Sequence, residues 1–165
     1  MIILGIDPGL ATVGLGIVKF ERQRFITLRY GAIITPPKLP VSERLQMIYD
    51  GLQQAIDAYK PTDLAVEEIF FNTNHKTVIT VSEARGVILL AAQKNKLAIG
   101  EYTPLQVKQS VVGYGRAEKI QVMSMVKNIL NLEKIPKPDD AADALAIAIC
   151  HAHSKSTGSL IDKFK

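Results

Sequence analysis

The sequence predicts an α/β domain in which a mixed five-stranded sheet, an antiparallel meander plus parallel strands, is flanked by helices. Three β-like runs come first along the chain, and helices and strands alternate after them. The chain has 165 residues, of which 47% are apolar, enough for one substantial core and too few for two domains. We therefore expect a single domain over residues 1–153 and a flexible tail over 154–165.

The N-terminal part is predicted to form the meander. The three β-like runs are separated by short segments that suit hairpins, which favours antiparallel pairing of successive strands. The runs cover residues 2–6, 13–20 and 25–34.

The alternating part begins after a proline-rich segment at 36–40, which does not fit inside a regular element. Ser42 is predicted to cap a helix, because apolar residues recur after it at helical spacing. These are Leu45, Ile48, Leu52 and Ile56. Residues 63–67 then form a short apolar run, which predicts a buried strand.

The remaining elements are predicted from periodicity and breakers. Residues 78–95 form a second helix, 97–102 a fifth strand, and a helical turn runs from 104 to about 113–115. A further helix begins near 117, with Ile120, Met123, Val126 and Leu130 on one face, and a last helix runs from about 139 to 151. This order of elements is that of the ribonuclease H-like fold, although a fold does not fix a function.

Two acids stand at the ends of predicted strands. Asp7 ends the first strand and precedes the turn residues Pro8 and Gly9, so its carboxylate is expected at the rim of the sheet. Glu67 ends an apolar strand, where an ionised side chain is costly unless it is paired or bound to a cation. Glu68 points to the opposite side, because side chains alternate along a strand, so only one of the two glutamates faces a site.

Two more acids begin the last helix. Asp140 and Asp143 are three residues apart and share one helix face, and the uniformly apolar residues after them require the helix to pack on the sheet. Compensation of the helix dipole is an alternative that explains Asp139 well and extends to Asp140, but it explains Asp143 less well because that residue lies deeper.

Convergence of Asp7, Glu67, Asp140 and Asp143 would create a strongly repulsive site without cations. Oxygen ligands without a thiolate or histidine pattern favour Mg²⁺ or Mn²⁺ over Zn²⁺. Two such ions can activate water and stabilise the leaving oxygen in phosphodiester hydrolysis. The spacing therefore predicts a two-metal nuclease site.

Charge and composition are compatible with a nucleic-acid partner. The net charge is +4, and basic residues between 94 and 137 form either a phosphate-contacting surface or an ordinary solvated face. The single cysteine, Cys150, cannot form an internal disulfide. We expect no membrane span or export signal, and a cytoplasmic location.

Collinear motifs connect this chain to a known family. Taken together, they resemble the RuvC family from the start of the chain to about residue 153, whereas any one of them alone would be weak. The motifs are Gly5-Ile-Asp-Pro-Gly9, Ala65-Val-Glu-Glu-Ile-Phe70, Glu83-Ala-Arg-Gly86, Gln106-Val-Lys-Gln109, Gly113-Tyr-Gly115, Ala117-Glu-Lys119 and Asp140-Ala-Ala-Asp-Ala-Leu-Ala-Ile-Ala148.

The resemblance implies a magnesium-dependent homodimer that nicks four-way DNA junctions symmetrically and works with the branch-migration proteins RuvA and RuvB. It implies that the four carboxylates named above bind the catalytic metal. Lys108 and Lys119 match lysines near the scissile phosphates, and Phe70 matches an aromatic that stacks on junction bases.

Several of these assignments leave alternatives open. The two lysines could be surface residues, Phe70 could be a core residue, and its neighbour Phe71 could contact DNA in its place. Arg85 and Arg116 are expected either to contact phosphate or to lie on helix surfaces. Glu68 stands where relatives often carry an uncharged residue, which leaves open which glutamate binds metal.

Other protein classes share parts of the pattern. Actin-like and sugar-kinase-type ATPases also begin with a strand, an acid and a glycine turn, but they need a second copy of the motif, which this sequence lacks. A YqgF-type nuclease acting on RNA is a nearer alternative, and a non-catalytic junction-binding module is a third. The intact carboxylates and the block at 106–109 favour the junction enzyme.

Overall fold

The computed structural model describes residues 1–68 and 75–162. A five-stranded sheet has the order β3-β2-β1-β4-β5, with antiparallel pairing from β3 to β1 and parallel pairing from β1 to β5. The predicted mixed sheet with flanking helices is confirmed. The elements are β1 (Ile2–Asp7), β2 (Thr12–Glu21), β3 (Arg24–Ile34), α1 (Val41–Tyr59), β4 (Asp63–Glu67), α2 (His75–Lys94), β5 (Ala98–Tyr102), α3 (Pro104–Val112), α4 (Lys119–Ile129) and α5 (Asp139–Asp162).

The sheet separates two apolar cores. Leu64 and Val66 of β4 belong to the core that α1 and α2 cover, whereas Ala65 between them belongs to the core under α3, α4 and α5. This alternation follows from the two-residue period of a strand. It puts Glu67 on the α5 side of the sheet, the same side as Ala65.

Glycines let α5 approach the sheet closely. A Cβ atom at Gly14 of β2 would overlap the main-chain carbonyl of Asp140, and one at Gly5 of β1 would overlap that of Ala144. At Gly16 it would lie 2.8 Å from the backbone nitrogen of Leu145. Residues without side chains at these points therefore allow the start of α5 to rest against the end of β1.

Several local features differ from the sequence predictions. Pro40, not Ser42, precedes α1, and no side chain caps that helix, so the proline-rich segment itself sets its start. Ile120 is 57% exposed and Val122 is buried in its place on α4. Helix α5 continues to Asp162, well past the predicted end at 151.

The longer α5 runs through most of the segment for which we expected no regular structure. The single domain over 1–153 and a flexible 154–165 stay predictions. Among the helices of the described ranges, none is long and apolar enough to cross a membrane.

Candidate active site

An acidic cleft lies where β1 and β4 end. Three carboxylates, Asp7, Glu67 and Asp143, line it together with the ammonium groups of Lys108 and Lys119. The rest of the lining is apolar and comes from α3, α4 and α5, namely Pro104, Val107, Val122, Ala146 and Ile147. Charged groups of both signs thus meet in a partly apolar surrounding.

Strand register explains why two of these acids are neighbours. β1 and β4 run parallel with Ile6 opposite Val66, so Asp7 and Glu67 follow at the same edge of the sheet. Both side chains lie on the α5 side, where the first turns of α5 bring Asp143 to them. Of the two neighbouring glutamates, Glu67 lines the cleft and Glu68 does not.

The surroundings of the cleft make ionisation of its carboxyl groups less favourable than in water. The pKa of Asp7 is raised to about 7, first because burial penalises the charged form and then because Asp143, Glu67 and Asp140 repel it. The pKa of Glu67 is also raised, by burial and by Asp143, although Lys108 opposes this. Asp140 thus acts on Asp7 through its charge without lining the cleft.

Lys119 is the first residue of α4 and enters the acidic cluster from outside the sheet. Its Nζ lies 2.9 Å from a carboxylate oxygen of Asp143 and 3.9 Å from one of Asp139. The hydrogen bond to Asp143 is the main reason why the pKa of Lys119 is raised. Asp139 pairs more closely with Lys137, at 2.7 Å, and so belongs to the rim of the site.

Lys108 comes from α3, whose start is fixed by a reciprocal cap. The backbone nitrogen of Gln106 donates to the Thr103 hydroxyl, and the backbone nitrogen of Thr103 donates to the Gln106 side chain. This holds the first turn of α3 rigidly beside the cleft. Lys108 therefore lines the cleft from α3, as Lys119 does from α4.

The residues of the cleft fit a hard divalent cation. Within residues 1–68 and 75–162, no three His, Cys, Asp or Glu side chains are already spaced to hold one ion together. The chemistry of the donors nevertheless suits a cation: all the acidic groups are carboxylates, two have raised pKa values, and a lysine ammonium stands among them. Such uncompensated negative charge is what a bound Mg²⁺ or Mn²⁺ would neutralise.

The other predicted DNA-contacting residues differ in where they lie. Phe70 and Phe71 are outside the described residues. Arg116 is exposed between α3 and α4. Arg85 is engaged within the protein: its Nε donates to the main-chain carbonyl of Glu67 at 3.3 Å, and its guanidinium pairs with Glu101.

A buried polar cluster at the far end of β4 was not predicted from the sequence. His151, which has no exposed surface, joins Asp63 through Nε2 at 3.1 Å and Tyr102 through Nδ1 at 2.9 Å. Burial lowers the pKa of His151 against the opposing effect of Asp63, so a neutral ring donates from Nε2 and accepts from the tyrosine hydroxyl. Two-residue alternation, which puts Asp63 on the same face as Glu67, was the available signal.

The mixed sheet, its flanking helices and the acidic cleft define a ribonuclease H-like enzyme of the nuclease class. The family model described as "Crossover junction endodeoxyribonuclease RuvC" matches residues 3–151. The chain belongs to the RuvC family of crossover junction endodeoxyribonucleases. This decides against the ATPase alternative.

Two relatives and one solved structure are similar to this chain over nearly its whole length. RuvC of Alkaliphilus oremlandii is 58% identical over 165 residues, covering 100% of this chain and 99% of that protein. RuvC of Ruminiclostridium cellulolyticum is 56% identical, covering 99% and 100%. The Thermus thermophilus RuvC structure in complex with a Holliday junction substrate superposes with a TM-score of 0.91 at 36% identity, covering 96% of each chain.

Proposed function

We propose that this protein resolves Holliday junctions in homologous recombination and DNA repair. It makes paired symmetrical nicks in a four-way DNA junction by metal-ion-assisted hydrolysis of phosphodiester bonds, leaving 5′-phosphate ends. Membership of the RuvC family supports the substrate, and the Thermus thermophilus relative was solved with a Holliday junction. The single observation that carries the chemistry is the meeting of Asp7, Glu67 and Asp143 with two lysines in one cleft.

The proposed metal ligands are Asp7, Glu67, Asp140 and Asp143. Mg²⁺, two ions per site with Mn²⁺ as a substitute, would supply the activation of water and the neutralisation of the leaving oxygen. The raised pKa values of Asp7 and Glu67 support this assignment, because burial and mutual repulsion make their ionised forms costly and a bound cation would offset that cost. No covalent enzyme intermediate is required.

The lysines have a separate proposed role. Lys108 and Lys119 would bind the scissile phosphate, since positive groups in a partly dry cleft stabilise charge that develops on phosphate oxygens. Lys119 already contacts Asp143, so it lies within reach of the atoms that would react. Phe70 or Phe71, together with Arg116, would contact the junction DNA.

The symmetry of the proposed substrate favours a homodimer. A four-way junction can adopt two-fold symmetry, so a homodimer with an isologous interface would present two equivalent clefts to two equivalent strands. Cooperation with RuvA and RuvB and a cytoplasmic location are part of the same proposal, and both rest on membership of the family.

Mapping of cuts tests this function. The purified chain is incubated with a synthetic four-way junction, a plain duplex and an RNA–DNA hybrid, with and without Mg²⁺, and the products are sized on both strands. We expect symmetrical nicks in the junction alone and only with Mg²⁺. Equal cutting of the hybrid would favour the RNA-directed alternative, and intact junctions would remove the proposal.

A further inference from the structure

Arg85 links three elements at the edge of the cleft. It lies near the middle of α2, donates through Nε to the carbonyl oxygen of Glu67 at the end of β4, and pairs with Glu101 of β5. Its side chain is 18% exposed, against 46% for that of Glu101. The side chain is therefore largely buried, and its two partners in the described ranges both belong to strands of the sheet.

The hydrogen bond from Arg85 reaches β4 at Glu67, where the pairing of β4 with β5 ends. The ladder between β4 and β5 ends at Glu67 opposite Tyr102, followed by one bond from the nitrogen of Glu68 to the carbonyl of Tyr102. Beyond this point β4 has no further strand partner in the described ranges. The carboxylates of Asp143 and Glu67 line the same cleft, and like charges at such a site repel each other. A donor on the main chain of Glu67 opposes displacement of the strand end by that repulsion.

We infer that Arg85 is a positioning residue, oriented by Glu101, that holds the end of β4 so that the Glu67 carboxylate faces the metal-binding cleft. The inference rests on the proposed function, because it gives Glu67 a cation to bind. Arginine suits the role because its planar fork can serve a carbonyl and a carboxylate at once, whereas a lysine ammonium is a single point of charge.

The alternative role of Arg85, contact with a DNA phosphate, makes a different prediction. If Arg85 bound phosphate, its loss would weaken junction binding without Mg²⁺ and would reduce the salt dependence of binding by about one unit of slope. Glu101→Gln would then free the guanidinium and strengthen that binding. A positioning role predicts instead that substitution of Arg85 and substitution of Glu101 both leave metal-free junction binding unchanged and both weaken the affinity for Mg²⁺.

The experiment compares Arg85→Ala, Arg85→Lys and Glu101→Gln with the unmodified chain. Calorimetry gives the affinity for Mg²⁺ without DNA, and fluorescence anisotropy in EDTA gives junction binding over a salt series. Glu83→Gln is the control, because Glu83 is exposed on the same helix. We expect the affinity for Mg²⁺ to fall roughly 10-fold for both Arg85 variants, since residues that orient metal ligands typically contribute that much. Glu101→Gln should show a smaller fall, and Glu83→Gln none.

A double variant that includes Glu67 distinguishes a positioning role of Arg85 from a general disturbance of the fold. In the Glu67→Gln background, Arg85→Ala should cause little further loss of Mg²⁺ affinity, because the group that Arg85 orients is already gone. Full additivity of the two losses would overturn the inference, and so would unchanged Mg²⁺ affinity in Arg85→Ala, or a lower salt slope in the Arg85 variants. Failure of the unmodified chain to nick the junction would instead count against the proposed function, so the two failures are distinguishable.

Discussion

The Nζ atom of Lys119 lies 2.9 Å from a carboxylate oxygen of Asp143, and Asp143 is also the strongest charged neighbour that raises the pKa of Asp7. A cation of the protein itself thus stands inside the acidic cluster. Lys119 lowers the pKa of Asp7 while three carboxylates raise it. The negative charge of the cleft is therefore only partly neutralised by its two lysines, Lys108 and Lys119, which is the physical basis for assigning it a divalent ion.

Replacement of Lys119 by methionine should slow nicking by about 100-fold, because one preorganised positive group near the reacting phosphate is typically worth that much. Single-turnover cleavage of a four-way junction at saturating Mg²⁺ measures the effect. Lys137→Met is the matched control, since Lys137 pairs with Asp139 at the rim. Equal rates for the two variants would remove Lys119 from the proposed site.

Asp7 should make the metal-free protein less stable as the pH rises. Its folded-state pKa of about 7 lies above the ordinary 3.8, so the folded chain binds more protons than the unfolded chain between these values, and the free energy of unfolding falls across that window. Asp7→Asn should remove this loss and stabilise the protein at pH 8 by up to about 4 kcal/mol, from about 1.4 kcal/mol per pKa unit.

Urea denaturation in EDTA at pH 4.5 and pH 8 measures this difference. Asp50→Asn is the control, because Asp50 is exposed on α1. A stabilisation by Asp7→Asn that was as large at pH 4.5 as at pH 8 would show that the Asp7 charge is not its cause.

The buried cluster of His151, Asp63 and Tyr102 should make the protein more stable as the pH rises, the opposite of the effect of Asp7. Burial holds the pKa of His151 below its ordinary 6.5, so the unfolded chain takes up a proton here before the folded chain does. The contribution of neutral His151 to the free energy of unfolding is therefore fully present above about pH 6.5 and is lost as the pH falls below it. His151→Gln keeps a donor for Asp63 but cannot take up a proton. The stability advantage of the unmodified chain over this variant should therefore shrink between pH 7 and pH 5.5 in denaturant titrations. An advantage that stayed constant would mean that His151 is not held neutral.

Close contact of α5 with the sheet should make Gly14 sensitive to an added methyl group. A Cβ there meets the Asp140 backbone, so Gly14→Ala should destabilise the fold by about 1–3 kcal/mol and push the start of α5 away from Asp7. Gly31→Ala is the control, because no atom lies within 4 Å of its Cβ position. Thermal unfolding and Mg²⁺ affinity measure the two effects, and similar values for both variants would contradict the close approach.

Features that depend on neighbours in the chain were predictable. The strand ends that carry Asp7 and Glu67 follow from apolar runs and turn residues, and parallel pairing brings such ends to one edge of a sheet. Asp143 was predictable because an apolar helix must pack on that sheet.

Features that depend on distant elements were not predictable. The pairing of Arg85 with Glu101 joins α2 to β5, and no local pattern specifies it. The last helix was predicted to end near residue 151, but α5 continues past it, and the ring of His151 is buried against Asp63 of β4 and Tyr102 of β5, which are distant in the sequence. Asp140 was expected beside the other three acids, but it influences Asp7 through charge without lining the cleft.

The most direct test of the acidic cleft as the nuclease centre is junction nicking by Asp7→Asn. The variant and the unmodified chain are incubated with the same four-way junction in Mg²⁺, and bound and cut fractions are measured in parallel. We expect the variant to bind the junction as the unmodified chain does and to leave both strands intact. Nicking by the variant at the ordinary rate would show that the reaction occurs elsewhere on the molecule.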